Sequence, residues 1–507
     1  MQLSEIKLGY TDGAQEARME NFTSLFYEDD EVVKQLKTDN SIFIITGRKG
    51  VGKTLLSEYY MNYCSKEFNS ICATINANNI LETYLKEFGT GKIIDNEEFV
   101  AFIKFHIYKS ISEQIFQRKI RDIKIKNRVP FFIARERLRC FVKKRYSENN
   151  FYCDEFDVVK NGDCNLNINK TNGNIGVQSN KRYKKNRYYN ILDRICNLVF
   201  DCLKYTSVVI SNDDLDEIDY SNITNGKDSY IKFLLRYIQA CKELNLELSN
   251  HSKCLVVIRD DILNSLNSYS GNFNKTISDC SVRINWIESQ NKRPWEYKMA
   301  KMVLKKIRAS SLEYENCSDQ VIYEALFPEK VLDHNTFETL MAYSYGRPRA
   351  VIYWLLQIIK DNGEKNMFSE DLFKETLPIY SEHLLGELKN ELNYYYEPEY
   401  IDQLFETLSI MNKCVFKIQN FEYTLVEHKE NLSQITSAED AIKVLYEIGA
   451  LGNKVGNKTD WYFRTEGKKK PNINEKFVVH LGLRKVLIAS QRTYKKKDIE
   501  QKKKSNE

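Results

Sequence analysis

The spacing of apolar positions changes character once along this chain, near residue 294. Before that point short apolar runs alternate with segments of helical period. Residues 41–46, 70–75, 207–210, 254–258 and 282–286 predict strands. Residues 55–66, 97–117, 191–204 and 230–245 place apolar side chains three and four apart and predict helices. Strands that alternate with helices point to an α/β fold with a parallel sheet. Residues 1–40 read as a helical lead-in, with Phe22, Leu25 and Phe26 on one face. Asn161-Gly162 and Asn172-Gly173 accompany the alternating pairs Leu166/Ile168 and Ile175/Val177, which is hairpin chemistry within residues 154–180.

Beyond residue 294 strands nearly vanish. Helices are predicted over 295–308, 335–345, 348–361, 369–394, 401–411 and 438–448. A turn-rich stretch at 452–457 precedes two predicted strands, 460–464 and 476–483. Helices that end in a two-strand ribbon suggest a winged helix. The expected organisation is an α/β core over 1–290 with an insertion at about 118–187, a helical lid over 291–395, a winged-helix-like segment over 396–490 and a basic tail over 491–507.

Composition narrows the class. With 507 residues, 42% hydrophobic and 29% charged, and only 20 Gly and 7 Pro, neither a disordered nor a collagen-like chain fits. No apolar run approaches the ~20 residues of a membrane helix, and the first residues lack an export signal. The 12 cysteines include no C-x-x-C pair, and Cys196, Cys202 and Cys254 sit in apolar runs as small core residues. The expectation is a reduced, cytoplasmic protein with no membrane partner and no structural zinc.

The net charge of +5 hides an uneven distribution. Residues 118–145 carry a local +10, residues 181–187 a further +5 and the tail +4, so the remaining chain stands at −14. Such blocks either meet anionic partners or are solvated surface.

The chemistry is concentrated after the first predicted strand. Gly47-Arg48-Lys49-Gly50-Val51-Gly52-Lys53-Thr54 has the spacing G-x-x-x-x-G-K-[ST] between a strand and a helix, the context in which such a loop cradles phosphates. Its backbone N–H groups and the helix N-terminus would face the anion. Lys53 would reach the β- and γ-phosphates, and the Thr54 hydroxyl would ligate Mg²⁺. A second carboxylate anchor is expected at the end of another strand, and Asp213 is the best placed. The residue that polarises water is open between Asp214, from an apolar-run-then-Asp-Asp reading, and the pair Asp216 and Glu217. Arg259 ends another apolar strand. It would point at the γ-phosphate if that strand lies between the other two. Arg349, preferred to Arg347, follows Pro348 in the first turn of a helix and would bridge nucleotide and lid.

The loop GRKGVGKT, the acidic turn NDDLDE, and the stretches VVIRDD and GRPRAV together resemble the STAND/AAA+-like P-loop ATPases. The nearest likeness is a bacterial stand-alone group with a G-R-K-G-x-G-K-[ST] loop, labelled FunZ-like. The resemblance runs from about residue 8 to 487 and is weakest over 118–187. It implies an additional-strand catalytic (ASCE-type) sheet, a helical lid, a winged helix, ATP and Mg²⁺ as ligands, and sensor roles for Arg259 and Arg349. Related ATPases act as switches, several of them in defence against phage, which by analogy extends to this chain.

Two partner surfaces are suggested. In the predicted helix 438–448, Glu439, Asp440 and Glu447 outnumber Lys443, so a groove-reading role is disfavoured and an intramolecular or partner-docking role is expected. The basic insertion 118–187 interleaves cations with Phe131, Phe132, Phe141 and Tyr146 over 118–146 and with Tyr183 over 181–187, which suits single-stranded nucleic acid, an acidic protein surface or a solvated helix face. The function expected is an ATP-hydrolysing switch with slow turnover, able to engage a protein partner or a second copy. The alternatives are a DNA-engaging loader and a scaffold that binds nucleotide without turnover.

Overall fold

The computed structural model describes residues 1–88, 96–145, 187–213, 215, 226–248, 251–269, 273–288, 292–332, 334–393, 395–456, 458–463 and 470–488. The chain forms two compact units, each discontinuous in sequence. One comprises Lys34–Thr46 and Tyr60–Val282; the other comprises Met1–Val33, Gly47–Tyr59 and the chain from Arg283 onward.

The first unit is built on a five-stranded, all-parallel sheet. Its strands are β1 (Ile44–Gly47), β2 (Ile71–Asn76), β3 (Val208–Asp213), β4 (Lys253–Arg259) and β5 (Ser281–Arg283), in the order β2-β3-β4-β1-β5. β2 meets β3 in the register Ile71↔Val208 to Asn76↔Asp213, and β3 meets β4 from Val209↔Lys253 to Asn212↔Val256. On the other side of β4, Val256 donates 2.8 Å to the Phe43 carbonyl beside β1. Every residue of β3 and β4 is buried, as strands covered on both faces require.

Ser211 and Asn212 make β3 unusually polar, and their burial is compensated. Asn212 donates 2.7 Å to Leu255 O and accepts 2.6 Å from the buried Tyr237 hydroxyl. Lys253 is also buried. Its ammonium donates to the carbonyls of Leu36 and Asp39, 3.1 Å each, at the end of the helix Asp30–Thr38. Burial pulls its pKa down to about 8. The helices Asn96–Gln117, Arg128–Arg145, Arg187–Leu203 and Gly226–Glu247 complete this unit, with Phe102, Ile103, Leu138, Ile195 and Leu234 in its core.

In the second unit, helices Lys298–Ser310, Asp319–Leu326, Thr336–Tyr343, Pro348–Asp361 and Glu370–Leu392 share one apolar core with Leu3, Ile6 and Leu8. The lead-in consists of short helical pieces, Leu3–Glu5, Gly13–Ala17 and Phe22–Leu25, and Leu3 and Ser4 donate to Lys365 O and Gly363 O at 2.7 and 2.9 Å.

Helices Pro398–Met411, Ile418–Glu427 and Ala438–Glu447 accompany a four-stranded antiparallel sheet in the order Lys458–Asp460, Leu451–Val455, Lys476–Val479, Val415–Phe416. Residues 451–455, expected as part of a turn, form its central hairpin strand. The Asn453 side chain, 3% exposed, exchanges two hydrogen bonds with the backbone of Asn472, 3.1 and 2.8 Å, so a turn-former is satisfied inside a sheet.

Candidate functional site

β1 ends at Gly47, and the helix Lys53–Phe68 begins six residues later. Between them Gly50 and Gly52 hold φ of +79° and +95°, a region that side chains avoid. These glycines let the loop turn tightly enough for Leu56 N–H to reach Gly52 O at 3.0 Å and start the helix. The Lys53 ammonium folds back on the loop and donates 3.1 Å to Arg48 O. Lys49, Gly50, Lys53 and Thr54 are all half-buried, and Val51 is buried.

Several donors from the same unit grip the loop. The indole of Trp286 donates 2.9 Å to Val51 O, and Arg349 N–H donates 3.3 Å to Gly50 O. A Cβ on Gly50 would stand 3.3 Å from the Cβ of Arg349, so the Arg347-Pro348-Arg349 turn packs directly on the glycine. The Arg349 guanidinium donates 3.1 Å to Thr11 O and pairs with Glu387 at 3.5 Å. Arg347 is committed elsewhere, in a buried pair with Glu391. Both arginines pack beside Gly50, a Cβ on which would lie 3.9 Å from the Arg347 Cβ as well, while the backbone bond to the loop comes from Arg349. A small cavity beside Gly50 is lined by Arg347, Arg349, Ala350, His383, Leu384 and Glu387. Thr11, Trp286 and Glu387 carry no motif that would have marked them in the sequence.

In the sheet unit, Asp213 is the buried last residue of β3, opposite Asn76 of β2. β4 lies between β3 and β1, the condition attached to Arg259 in the sequence. Arg259 is buried at the end of β4, and its guanidinium takes the Asp261 carboxylate through bonds of 3.0 and 2.6 Å. Asp260, next to it, accepts 2.6 Å from the Thr46 hydroxyl at the end of β1. Asp214, Asp216 and Glu217 lie outside the described residues. Among the described residues no three His, Cys, Asp or Glu side chains converge as a metal cluster. The Thr54 hydroxyl and the Asp213 carboxylate are hard oxygen donors, the type that suits Mg²⁺.

The basic segment differs from its sequence reading. Phe131 and Phe141 are 0% and 9% exposed, on the core face of the helix Arg128–Arg145, so they are not surface platforms for bases. Arg118, Arg128 and Arg135 donate to backbone carbonyls of Asn69, Ile123 and Arg118, respectively. Lys119, Arg121, Lys124, Lys126 and Arg137 remain exposed, with Phe132 as the exposed aromatic of the set. Tyr146, the predicted hairpin at 154–180 and the basic run 181–187 lie outside the described residues. Among the described residues no helix is long and apolar enough to cross a membrane.

Fold and loop together define a mixed α/β protein with a five-stranded parallel sheet, of a kind that fits a general nucleotide-binding fold. A family model, the FunZ-associated C-terminal helical domain, matches residues 297–389, which span the helices from Lys298–Ser310 into Glu370–Leu392. The match supports a FunZ-like affinity for that stretch. No curated protein matches the chain.

Proposed function

We propose that this chain is an ATP-binding and ATP-hydrolysing switch of the STAND/AAA+-like P-loop type. Its nucleotide state would set the arrangement of the helical segment and of a C-terminal winged helix formed by residues 398–488. The observation that carries the reading is the strand order. A glycine-rich G-x-x-x-x-G-K-T loop follows β1, the acidic strand is β3, and β4 is inserted between them. This is the sheet expected of an additional-strand ATPase.

Within that reading, the loop amides and Lys53 hold the phosphates, and Thr54 and Asp213 supply oxygen ligands to Mg²⁺. Bound Mg²⁺ supplies charge neutralisation on the transferring phosphoryl group. Arg349 reports the occupied loop to the helical segment. Water activation falls to Asp214, Asp216 or Glu217.

The test is multiple-turnover phosphate release with ATP·Mg²⁺, with and without single- and double-stranded DNA, at 50 and 200 mM salt. Turnover independent of DNA is expected. Turnover dependent on DNA and steeply weakened by salt would replace the switch with a DNA-engaging ATPase. Nucleotide binding without any turnover would leave a scaffold.

A further inference from the structure

Arg48 occupies one of the unconstrained positions of the loop, where phosphate binding by backbone amides asks nothing of the side chain. Its two ends nevertheless make different commitments. The carbonyl accepts the Lys53 ammonium at 3.1 Å. The guanidinium donates 3.2 Å to Ile448 O and lies 5.7 Å over the Tyr345 ring and 5.5 Å over Phe463.

The acceptor is well chosen for a cation. Ile448 is the C-cap of the helix Ala438–Glu447, so its carbonyl sits at the negative end of that helix. The next residue, Gly449, has φ +89°, and a Cβ there would lie 3.0 Å from Tyr345 and 3.1 Å from Phe463. The turn is therefore pressed onto the same rings that receive Arg48. Tyr345 stacks on His480 at 3.8 Å and meets Phe463 edge-on at 5.0 Å, and Tyr345 and His480 are both almost completely buried. One side chain from the glycine-rich loop thus plugs into an aromatic socket that also seats the end of the 438–447 helix.

We propose that Arg48 is the positioning residue that couples anion occupancy of the loop to the seating of the C-terminal helix and strands, residues 438–480. The proposal rests on the reading of the loop as a phosphate site. A polyphosphate that binds Lys53 takes the ammonium from Arg48 O, because a contact between opposite charges outcompetes one to a neutral carbonyl. The peptide that loses its cation is the one whose side chain holds Ile448. On this proposal loop occupancy and the Ile448 tether oppose each other, and by linkage each weakens the other by the same factor.

The experiment is hydrogen–deuterium exchange of the full chain over residues 438–463 and 476–483, with and without ATP·Mg²⁺, paired with measured ATP affinity. In the wild type, nucleotide raises exchange over these residues. In Arg48→Ala exchange is already raised without nucleotide, nucleotide adds nothing, and ATP binds roughly fivefold or more tightly, the lower end of ordinary coupling. Arg48→Lys keeps the charge and restores part of the nucleotide response, which distinguishes the tether from loss of packing alone.

Unchanged exchange in ligand-free Arg48→Ala overturns the tether. A nucleotide response that persists in Arg48→Ala while the wild type binds ATP overturns the coupling and leaves the phosphate-site reading intact. If the wild type binds no ATP, it is the phosphate-site reading that fails and the coupling with it, and the ligand-free comparison alone then decides whether the tether exists.

Discussion

Arg347 closes on Glu391 through two hydrogen bonds, 2.5 and 3.3 Å, with the side chains 3% and 6% exposed. The pair joins the residue before Pro348 to the last turn of the helix Glu370–Leu392 and so fixes the turn that presents Arg349 to Gly50. A buried ion pair adds little net stability, but one partner left alone is costly. Glu391→Ala is expected to destabilise the protein by about 3–5 kcal/mol in urea denaturation, and Arg347→Met/Glu391→Leu by much less. Equal losses in the single and double variants would show that the pair is not what holds the turn.

Lys53 carries the binding prediction. At a ligand concentration 100 times Kd, ATP·Mg²⁺ should stabilise the wild type by about 2.7 kcal/mol. Thermal denaturation of Lys53→Ala should show none of that gain, since the ammonium that meets the phosphates is gone. Equal stabilisation of wild type and variant would remove the phosphate-loop assignment.

Asp213 should separate binding from chemistry. Asp213→Asn keeps the shape of a side chain at the end of β3 while it removes a negative oxygen from the metal shell. ATP affinity should change little, and turnover should drop by roughly a hundredfold, about 2.7 kcal/mol of transition-state stabilisation. Undiminished turnover would move the metal anchor elsewhere.

How much of this was legible in the chain depends on how local each cause is. β1, the Val208–Ile210 half of β3 and the Cys254–Ile258 run of β4 are apolar stretches in which burial on both faces is written residue by residue, and the loop glycines declare their own backbone. The helix Arg128–Arg145 was hidden because its core residues Phe131, Leu138 and Val142 are interleaved with arginines, some of which bond to backbone carbonyls. From sequence, an arginine that satisfies a carbonyl and one that awaits a phosphate look alike. The strand at 451–455 was hidden for a similar reason, since Asn453 finds its partners 19 residues away. The donors that grip the loop come from residues 286 and 349, and no local pattern brings those together.

His480 is expected to make the folded protein lose stability in acid. Its ring is buried, stacked on Tyr345, and its Nδ1 accepts 3.2 Å from Gly482 N–H. Burial, reinforced by the positive charges of Arg484, Arg347 and Arg48, holds the imidazole well below its ordinary 6.5, so it is neutral in the folded protein. The unfolded chain keeps the ordinary value and takes up a proton below about pH 6.5, which the folded chain does not. Unfolding therefore binds a proton in that range, and stability falls as pH falls, by about 1.4 kcal/mol per pH unit until the depressed folded value is reached. Urea denaturation between pH 7 and 5 should give a steeper loss for the wild type than for His480→Phe, which keeps a ring on Tyr345 but cannot titrate. The comparison reads the slope, so a lower absolute stability of the variant does not disturb it. Parallel slopes would mean that the imidazole takes up its proton in the folded state as readily as in the unfolded one, and that the aromatic socket admits the charge.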